Sequence, residues 1–211
     1  MAIFMLLLAL VSGYLLGSVN TSIIVSKIYG DNVRAKGSGN AGLTNTLRVL
    51  GPSAAAIVLV GDILKGVAAC LVGYLLTAGE LGSDKVINLD SPNLGLLLAG
   101  ISCIIGHIFP VYFQFKGGKG VLTSATVVFM MDWRVGTILV CIFIIVVLIT
   151  RYVSVGSMIS AAGLPFVCLA LNKPGYTMVY MVAIGLLVLI MHRKNIGKLV
   201  SGTEHKLKLG K

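Results

Sequence analysis

The sequence predicts an all-α, polytopic integral membrane helix bundle of about seven membrane segments, two of them short, with the N-terminus outside and the C-terminus cytoplasmic. Three observations lead there. Of 211 residues, 57% are hydrophobic and only 11% charged, and the mean hydropathy is +0.99, outside ordinary soluble composition. Apolar runs recur at lengths near the ~20 residues that a spanning helix needs. Basic residues collect in alternate loops, as they do on the cytoplasmic side of membrane proteins. The length fits one domain, residues 1–211.

The first run, residues 3–28, is interrupted only by Ser, Asn, Thr and Lys27. No basic residue precedes it and it continues past any cleavage position, so it reads as a retained helix rather than a signal peptide. The second run, 52–78, carries Asp62 and Lys65. Runs at 94–113, 121–131, 135–150, 155–171 and 176–191 follow. Those on either side of Asp132-Trp133-Arg134 are each shorter than a full span, which suggests a tight hairpin of short or tilted helices; without it, five segments would remain. The Gly13 and Gly17 spacing permits close helix contact.

Lys27, Arg34, Lys36 and Arg48 share the first loop, Lys116 and Lys119 the third, and Arg151 lies in the fifth. The tail holds Arg193, Lys194, Lys198, Lys206, Lys208 and Lys211. The alternate loops carry Glu80, Asp84, Lys85 and Asp90, then Asp132 and Arg134, then Lys173. An outside N-terminus and about seven crossings put every basic loop in the cytoplasm.

The net charge of +10 thus faces one side, toward anionic lipid or an anionic substrate. Nucleic acid is not an expected partner: there is no helix-turn-helix, zinc or base-stacking pattern. Cys70, Cys103, Cys141 and Cys168 lie inside apolar runs with no C-x-x-C pair and no histidine at ligand spacing, and read as small buried hydrophobes. No metal, cofactor or obligate protein partner is expected.

The first loop reads RAKGSGNAGLTNTLRVLGP, residues 34–52. Gly37, Gly39 and Gly42 satisfy G-x-G-x-x-G, but no strand precedes them, which excludes a dinucleotide fold. Small residues let a ligand approach the backbone, Ser38, Asn40, Thr44 and Asn45 offer hydrogen bonds, and Arg48 offers a planar cationic fork. An ordinary capped loop before a helix accounts for the stretch equally well.

The third loop, GHIFPVYFQFKGGKG, spans residues 106–120. It is not a Walker A loop, because Phe113 stands at the first glycine position and Gly120 where Ser or Thr would hold magnesium. Gly117, Gly118 and Gly120 leave the backbone able to turn N–H groups toward an anion at the next helix start, with Lys116 and Lys119 supplying charge. Two positive-inside lysines on a flexible turn explain the charge but not the interleaved glycines, so phosphate binding is the favoured reading. His107 reads equally as a packed, hydrogen-bonded histidine. Asp62 and Lys65 share a helical face about 15 Å in from Pro52; an internal ion pair is favoured over a supporting role beneath a site.

The motifs GSGNAGLTNTLRVLGP, DILKG, GHIFPVYFQFKGGKG, RYVS and HRKNIGKLVSGTE occur in order between Gly13 and Glu204. Together they resemble the motif set of the bacterial membrane glycerol-3-phosphate acyltransferases that use acyl phosphate as donor. Leu43 stands where alanine is usual, Asn20 where proline is usual, and Lys198 where arginine is usual; an ammonium there cannot reproduce a guanidinium fork. The resemblance implies acyl transfer from acyl phosphate to the 1-hydroxyl of sn-glycerol-3-phosphate, giving lysophosphatidic acid and inorganic phosphate, the first acylation step of phospholipid biosynthesis. It also implies a multi-pass protein of the bacterial cytoplasmic (inner) membrane with its active site facing the cytoplasm.

On that resemblance, Lys116, Lys119 and the Gly117, Gly118 and Gly120 backbone hold one phosphate. Arg48, with Ser38 and Thr44, holds the other phosphate or the glycerol hydroxyls, and Gly37, Asn40 and Asn45 are further substrate- or phosphate-binding residues. His192 relays the proton of the attacking hydroxyl or donates to a phosphate, with Asn195 orienting it, and Ser154 contributes a hydrogen bond. The donor phosphate is itself an alternative proton acceptor. Glu204 is expected to anchor the tail, with residues 201–211 otherwise solvated.

Two other classes fit less well. A transporter or channel for a small phosphorylated anion commonly shows repeats and a midplane site, whereas here only Asp62 and Lys65 lie deep. A metal-dependent lipid phosphotransferase needs clustered acidic ligands, and the acidic residues here are scattered. The H-x-x-x-x-D motif of soluble-type acyltransferases is also missing, since Tyr112, Gly197 and Gly210 follow His107, His192 and His205 at that spacing.

Overall fold

The computed structural model describes residues 1–78, 94–173 and 175–207. Among these there is no strand, and ten α-helices carry the chain. Glu80, Asp84, Lys85, Asp90, Lys208 and Lys211 lie outside the described residues. The helices fall into two compact units, Met1–Asp132 and Trp133–Lys211.

The first unit holds α1 (Ala2–Ser18), α2 (Thr21–Ile28), α3 (Leu43–Leu50), α4 (Pro52–Thr77), α5 (Leu94–Ile108) and α6 (Val121–Met131). The first expected run, 3–28, is one candidate span over Ala2–Ile28, within which the helix stops and restarts. Val19 and Asn20 are extended, and the Asn20 side chain accepts a hydrogen bond from Ile23 N at 3.1 Å, capping α2. A short carboxamide competes with the helix for backbone donors, so the chain restarts there. Helix α1 packs on α5 through missing side chains. A Cβ on Gly13 would overlap the Ala99 backbone, and one on Gly17 the Cys103 backbone. Close backbone approach through small residues is how helices associate in lipid, where no hydrophobic force separates helix from tail.

The second unit holds α7 (Trp133–Thr150), α8 (Val153–Ala170), α9 (Gly175–Met191) and α10 (Arg193–Val200). Gly156 sits where a Cβ would meet Val147 and Phe143, and Ser160 Oγ donates to Leu139 O at 3.1 Å, joining α7 to α8. Arg151 turns the chain between those helices at φ 62.

Among the described residues, five helical stretches are long and apolar enough to cross a membrane, and a sixth is added if α9 and α10, bent by 50°, count together. The expected pair of short segments reduces to one. Helix α6 has 11 residues, about half the hydrocarbon thickness at 1.5 Å per residue. Helix α7 has 18 residues, because Trp133 and Arg134 join its first turn.

Candidate active site

Asn45 organises the first polar loop. It is buried, its Oδ1 accepts from Ser38 N at 2.8 Å, and its Nδ2 donates to Val33 O at 2.8 Å and Lys36 O at 3.1 Å. Those bonds use both amide donors, so Asn45 shapes the loop, a role the sequence expectation did not include. Gly37 has φ 60, and a Cβ there would overlap Asn45 Oδ1. Glycine is therefore needed for conformation and for space. The staple leaves Ser38, Asn40 and Thr44 partly exposed and Arg48 exposed on α3. Neighbouring Thr46 is buried and shares a 2.8 Å hydroxyl bond with Ser22 of α2. At the loop start, Lys36 Nζ lies 2.8 Å from Asp31 Oδ2. The hydrogen bond from Lys36, then that from the Asn32 N–H, holds the Asp31 carboxyl below its usual range.

The lysine-glycine loop folds back on the end of α5. Gly117 N donates to Ile108 O and Gly118 N to His107 O, both at 3.1 Å. These N–H groups, expected to face an anion, are therefore occupied within the fold. The two glycines are required because a Cβ on Gly117 would overlap His107 O, and one on Gly118 the His107 ring. Gly120 at φ 77 opens α6, whose first turn has no side-chain cap. The N–H groups of that turn lack intrahelical acceptors. Thr123 Oγ1 and Ser124 Oγ are buried there with no hydrogen-bond partner. Lys116 is exposed and Lys119 partly so. Gln114 and Phe115 both adopt φ 58, a region that bulky residues enter only when their surroundings enforce it. Arg34 Nη1 lies 3.4 Å from Lys116 O and 3.5 Å from Phe113 O, bracing that turn.

Beneath the loop is a buried polar cluster. Lys65 Nζ lies 2.9 Å from Asp62 Oδ1, 3.0 Å from Val19 O and 2.8 Å from His107 Nδ1. Thr21 Oγ1 donates to the same Asp62 oxygen at 3.2 Å. The favoured internal pair is present, and it extends to the end of α5.

In the second unit, His192 is buried with Nδ1 2.8 Å from Val188 O. A carbonyl can only accept, so Nδ1 carries the proton, and Nε2 is the basic nitrogen of the neutral ring. The backbone carbonyl thus orients the imidazole, a role the sequence had given to Asn195. The Asn195 side chain instead donates to Glu204 Oε1 at 2.7 Å, and Ser154 Oγ donates to the same oxygen at 2.8 Å. Glu204 anchors the tail as expected, and more of the tail is pinned than expected. Leu207 N donates to Arg151 O at 2.7 Å, and Lys206 Nζ stands 5.5 Å from the Tyr152 ring centre.

Sequence reasoning missed the bracing by Arg34, the unpartnered hydroxyls of Thr123 and Ser124, and the bond from Lys65 to His107. The T-S pair in the first turn of the helix that follows KGGKG was the available signal for the hydroxyls. The other two depend on chain contacts far apart in sequence.

The fold and these loops define a multi-pass membrane protein with lysine and arginine on glycine-rich turns at the ends of apolar helices. The glycerol-3-phosphate acyltransferase family model matches residues 7–202. The chain is 40% identical to the glycerol-3-phosphate acyltransferase of Syntrophomonas wolfei over 94% of its own length and 95% of the relative's. It is 42% identical to that of Shouchella clausii, over 92% of each chain. Its fold matches the crystal structure of PlsY (YgiH), an integral membrane glycerol 3-phosphate acyltransferase, in the glycerol 3-phosphate form, with a TM-score of 0.83 and 32% identity over 98% of this chain and 96% of that one. The lysophosphatidic acid form of the same protein gives a TM-score of 0.82 and 31% identity over 96% of this chain and 95% of that one. The chain belongs to the glycerol-3-phosphate acyltransferase family.

Proposed function

We propose that this protein transfers a fatty acyl group from acyl phosphate to the 1-hydroxyl of sn-glycerol-3-phosphate, giving lysophosphatidic acid and inorganic phosphate. It is the first acylation of phospholipid synthesis, carried out by residues 1–211 as a single transmembrane acyltransferase domain in the bacterial cytoplasmic membrane. The N-terminus lies outside and the site faces the cytoplasm, an orientation supported by the basic loops. The observation that carries the reading is the whole-length likeness to an acyltransferase known in glycerol 3-phosphate and lysophosphatidic acid forms.

The chemistry suits these loops. The 1-hydroxyl oxygen bonds to the acyl carbon, the bond from that carbon to the phosphate oxygen breaks, and phosphate leaves with the electron pair. A mixed anhydride already carries a good leaving group, so positioning and charge neutralisation supply most of the acceleration. Lys116 and Lys119, with the uncapped first turn of α6, hold one phosphate. Arg48, with Ser38, Asn40 and Thr44 on the loop stapled by Asn45, holds the other phosphate or the glycerol hydroxyls. The hydroxyl proton passes to the departing phosphate or to His192 Nε2. Asn195 and Ser154 act through Glu204, which fixes both.

The test is product identification with purified protein in detergent, given palmitoyl phosphate and radiolabelled glycerol-3-phosphate. The expected product is 1-acyl lysophosphatidic acid, with strong loss on Lys119→Ala and Ser38→Ala. Absence of acylated product from folded wild-type protein would contradict the reading.

A further inference from the structure

We infer that Asp62, Lys65 and His107 form a positioning network that sets the phosphate-binding turn from inside the membrane. The inference rests on the reading above, in which Lys119 binds phosphate, and adds residues that touch no substrate.

The three acceptors around Lys65 match the three donors of an ammonium group: Asp62 Oδ1 at 2.9 Å, Val19 O at 3.0 Å and His107 Nδ1 at 2.8 Å. Each acceptor sits on a different part of the first unit. Asp62 is one turn back on α4 and also holds Thr21, the first residue of α2. Val19 supplies a carbonyl that the break between α1 and α2 releases from the helical ladder. His107 is the penultimate residue of α5. Lys65 therefore ties the break between α1 and α2 and the end of α5 to its own helix, and it is buried while doing so. Buried charges persist in lipid only when paired and hydrogen-bonded, and such pairs are best attested as devices that fix a register.

His107 passes that register to the loop. An ammonium can only donate, so Nδ1 accepts and the neutral ring carries its proton on Nε2. That edge occupies the place where a Cβ on Gly118 would stand. The carbonyl of the same residue accepts from Gly118 N at 3.1 Å. One residue thus grips Gly118 through its ring and its backbone, and Lys119 is next in the chain. Rotation of the imidazole displaces the turn, and displacement of about 1 Å at a binding group is enough to cost up to a hundredfold in rate.

A double-mutant cycle separates positioning from general stability. The neutral pair Asp62→Asn with Lys65→Met keeps the charge balance, and its catalytic efficiency is compared with wild type in the native and Lys119→Ala backgrounds. Wild-type turnover, measured first, tests the reaction itself, so failure there is distinct from failure of the network. If the network acts through the turn, the neutral pair lowers kcat/KM about tenfold or more in the native background, chiefly through KM for one phosphate substrate. The same pair then changes Lys119→Ala less than about twofold, because the group being positioned is already gone. Equal fold losses in both backgrounds, or no loss in either, overturn the inference. If the neutral pair does not fold, His107→Asn takes its place in the cycle. Its carboxamide still offers Lys65 an acceptor but withdraws the ring from Gly118, and the same two outcomes decide.

Discussion

Replacing Asn45 by Ala tests whether the first loop is built by a side chain rather than by the substrate. Asn45 is 1% exposed and makes three hydrogen bonds, to Ser38 N, Val33 O and Lys36 O. At a net of about 1 kcal/mol per bond, their loss frees about 3 kcal/mol of local stability, roughly a hundredfold in the open-to-closed ratio of the loop. Hydrogen exchange in substrate-free protein reads this directly. The Ser38 amide is expected to lose about two orders of magnitude of protection, while amides of α4 and α5 keep theirs. Activity falls in parallel, because Ser38 is no longer held. Gly37→Ala should act alike, since its methyl overlaps the Asn45 carboxamide in a backbone of φ 60. Unchanged Ser38 protection in Asn45→Ala, with activity lost, would refute the reasoning and return Asn45 to direct substrate contact.

Asn20→Pro removes a cap worth about 1 kcal/mol, but Val19 is already extended and Asn20 has φ -89, close to the proline range; a melting temperature within a few degrees of wild type is expected, and a collapse of folding would contradict it. Glu204→Ala removes charge-assisted bonds to Ser154 and Asn195. A loss of about 3 kcal/mol, at about 2–4 °C per kcal/mol, should appear in a thermal melt, with Glu204→Gln intermediate. Asp31→Asn tests the Lys36 pair. Because the folded carboxyl titrates below its usual range, its contribution is complete above the unfolded pKa of about 4 and disappears as pH falls through the lower folded value. The difference in melting temperature between wild type and Asp31→Asn should therefore be constant from about pH 5 to 8 and close on acidification, not widen.

Composition and charge pattern carried the membrane class, because lipid imposes them on any spanning helix. The polar loops were legible for the same reason: Ser, Asn, Lys and Arg between apolar runs stand out. Their internal wiring was not. Asn45 and Ser38 look alike as polar loop residues until the contacts of each show that one is the brace and the other is presented. The glycines after Phe115 suggested backbone donors for an anion, yet Gly117 and Gly118 are needed to pass close to His107, and their N–H groups bond α5. The pairing of Asp62 with Lys65 followed from helical spacing; the third partner, His107, is 42 residues further on and only packing brings it there. The break at Val19 was hidden because the polar residues beside it, Ser18, Asn20, Thr21 and Ser22, are short and lie within an otherwise apolar run.

The central claim is the donor. Phosphate release and lysophosphatidic acid formation, followed together in purified protein with palmitoyl phosphate or palmitoyl-coenzyme A as donor, test it most directly. One phosphate released per lysophosphatidic acid formed, from palmitoyl phosphate alone, is the predicted result. Equal or faster acylation from palmitoyl-coenzyme A, with no phosphate released, would contradict the account.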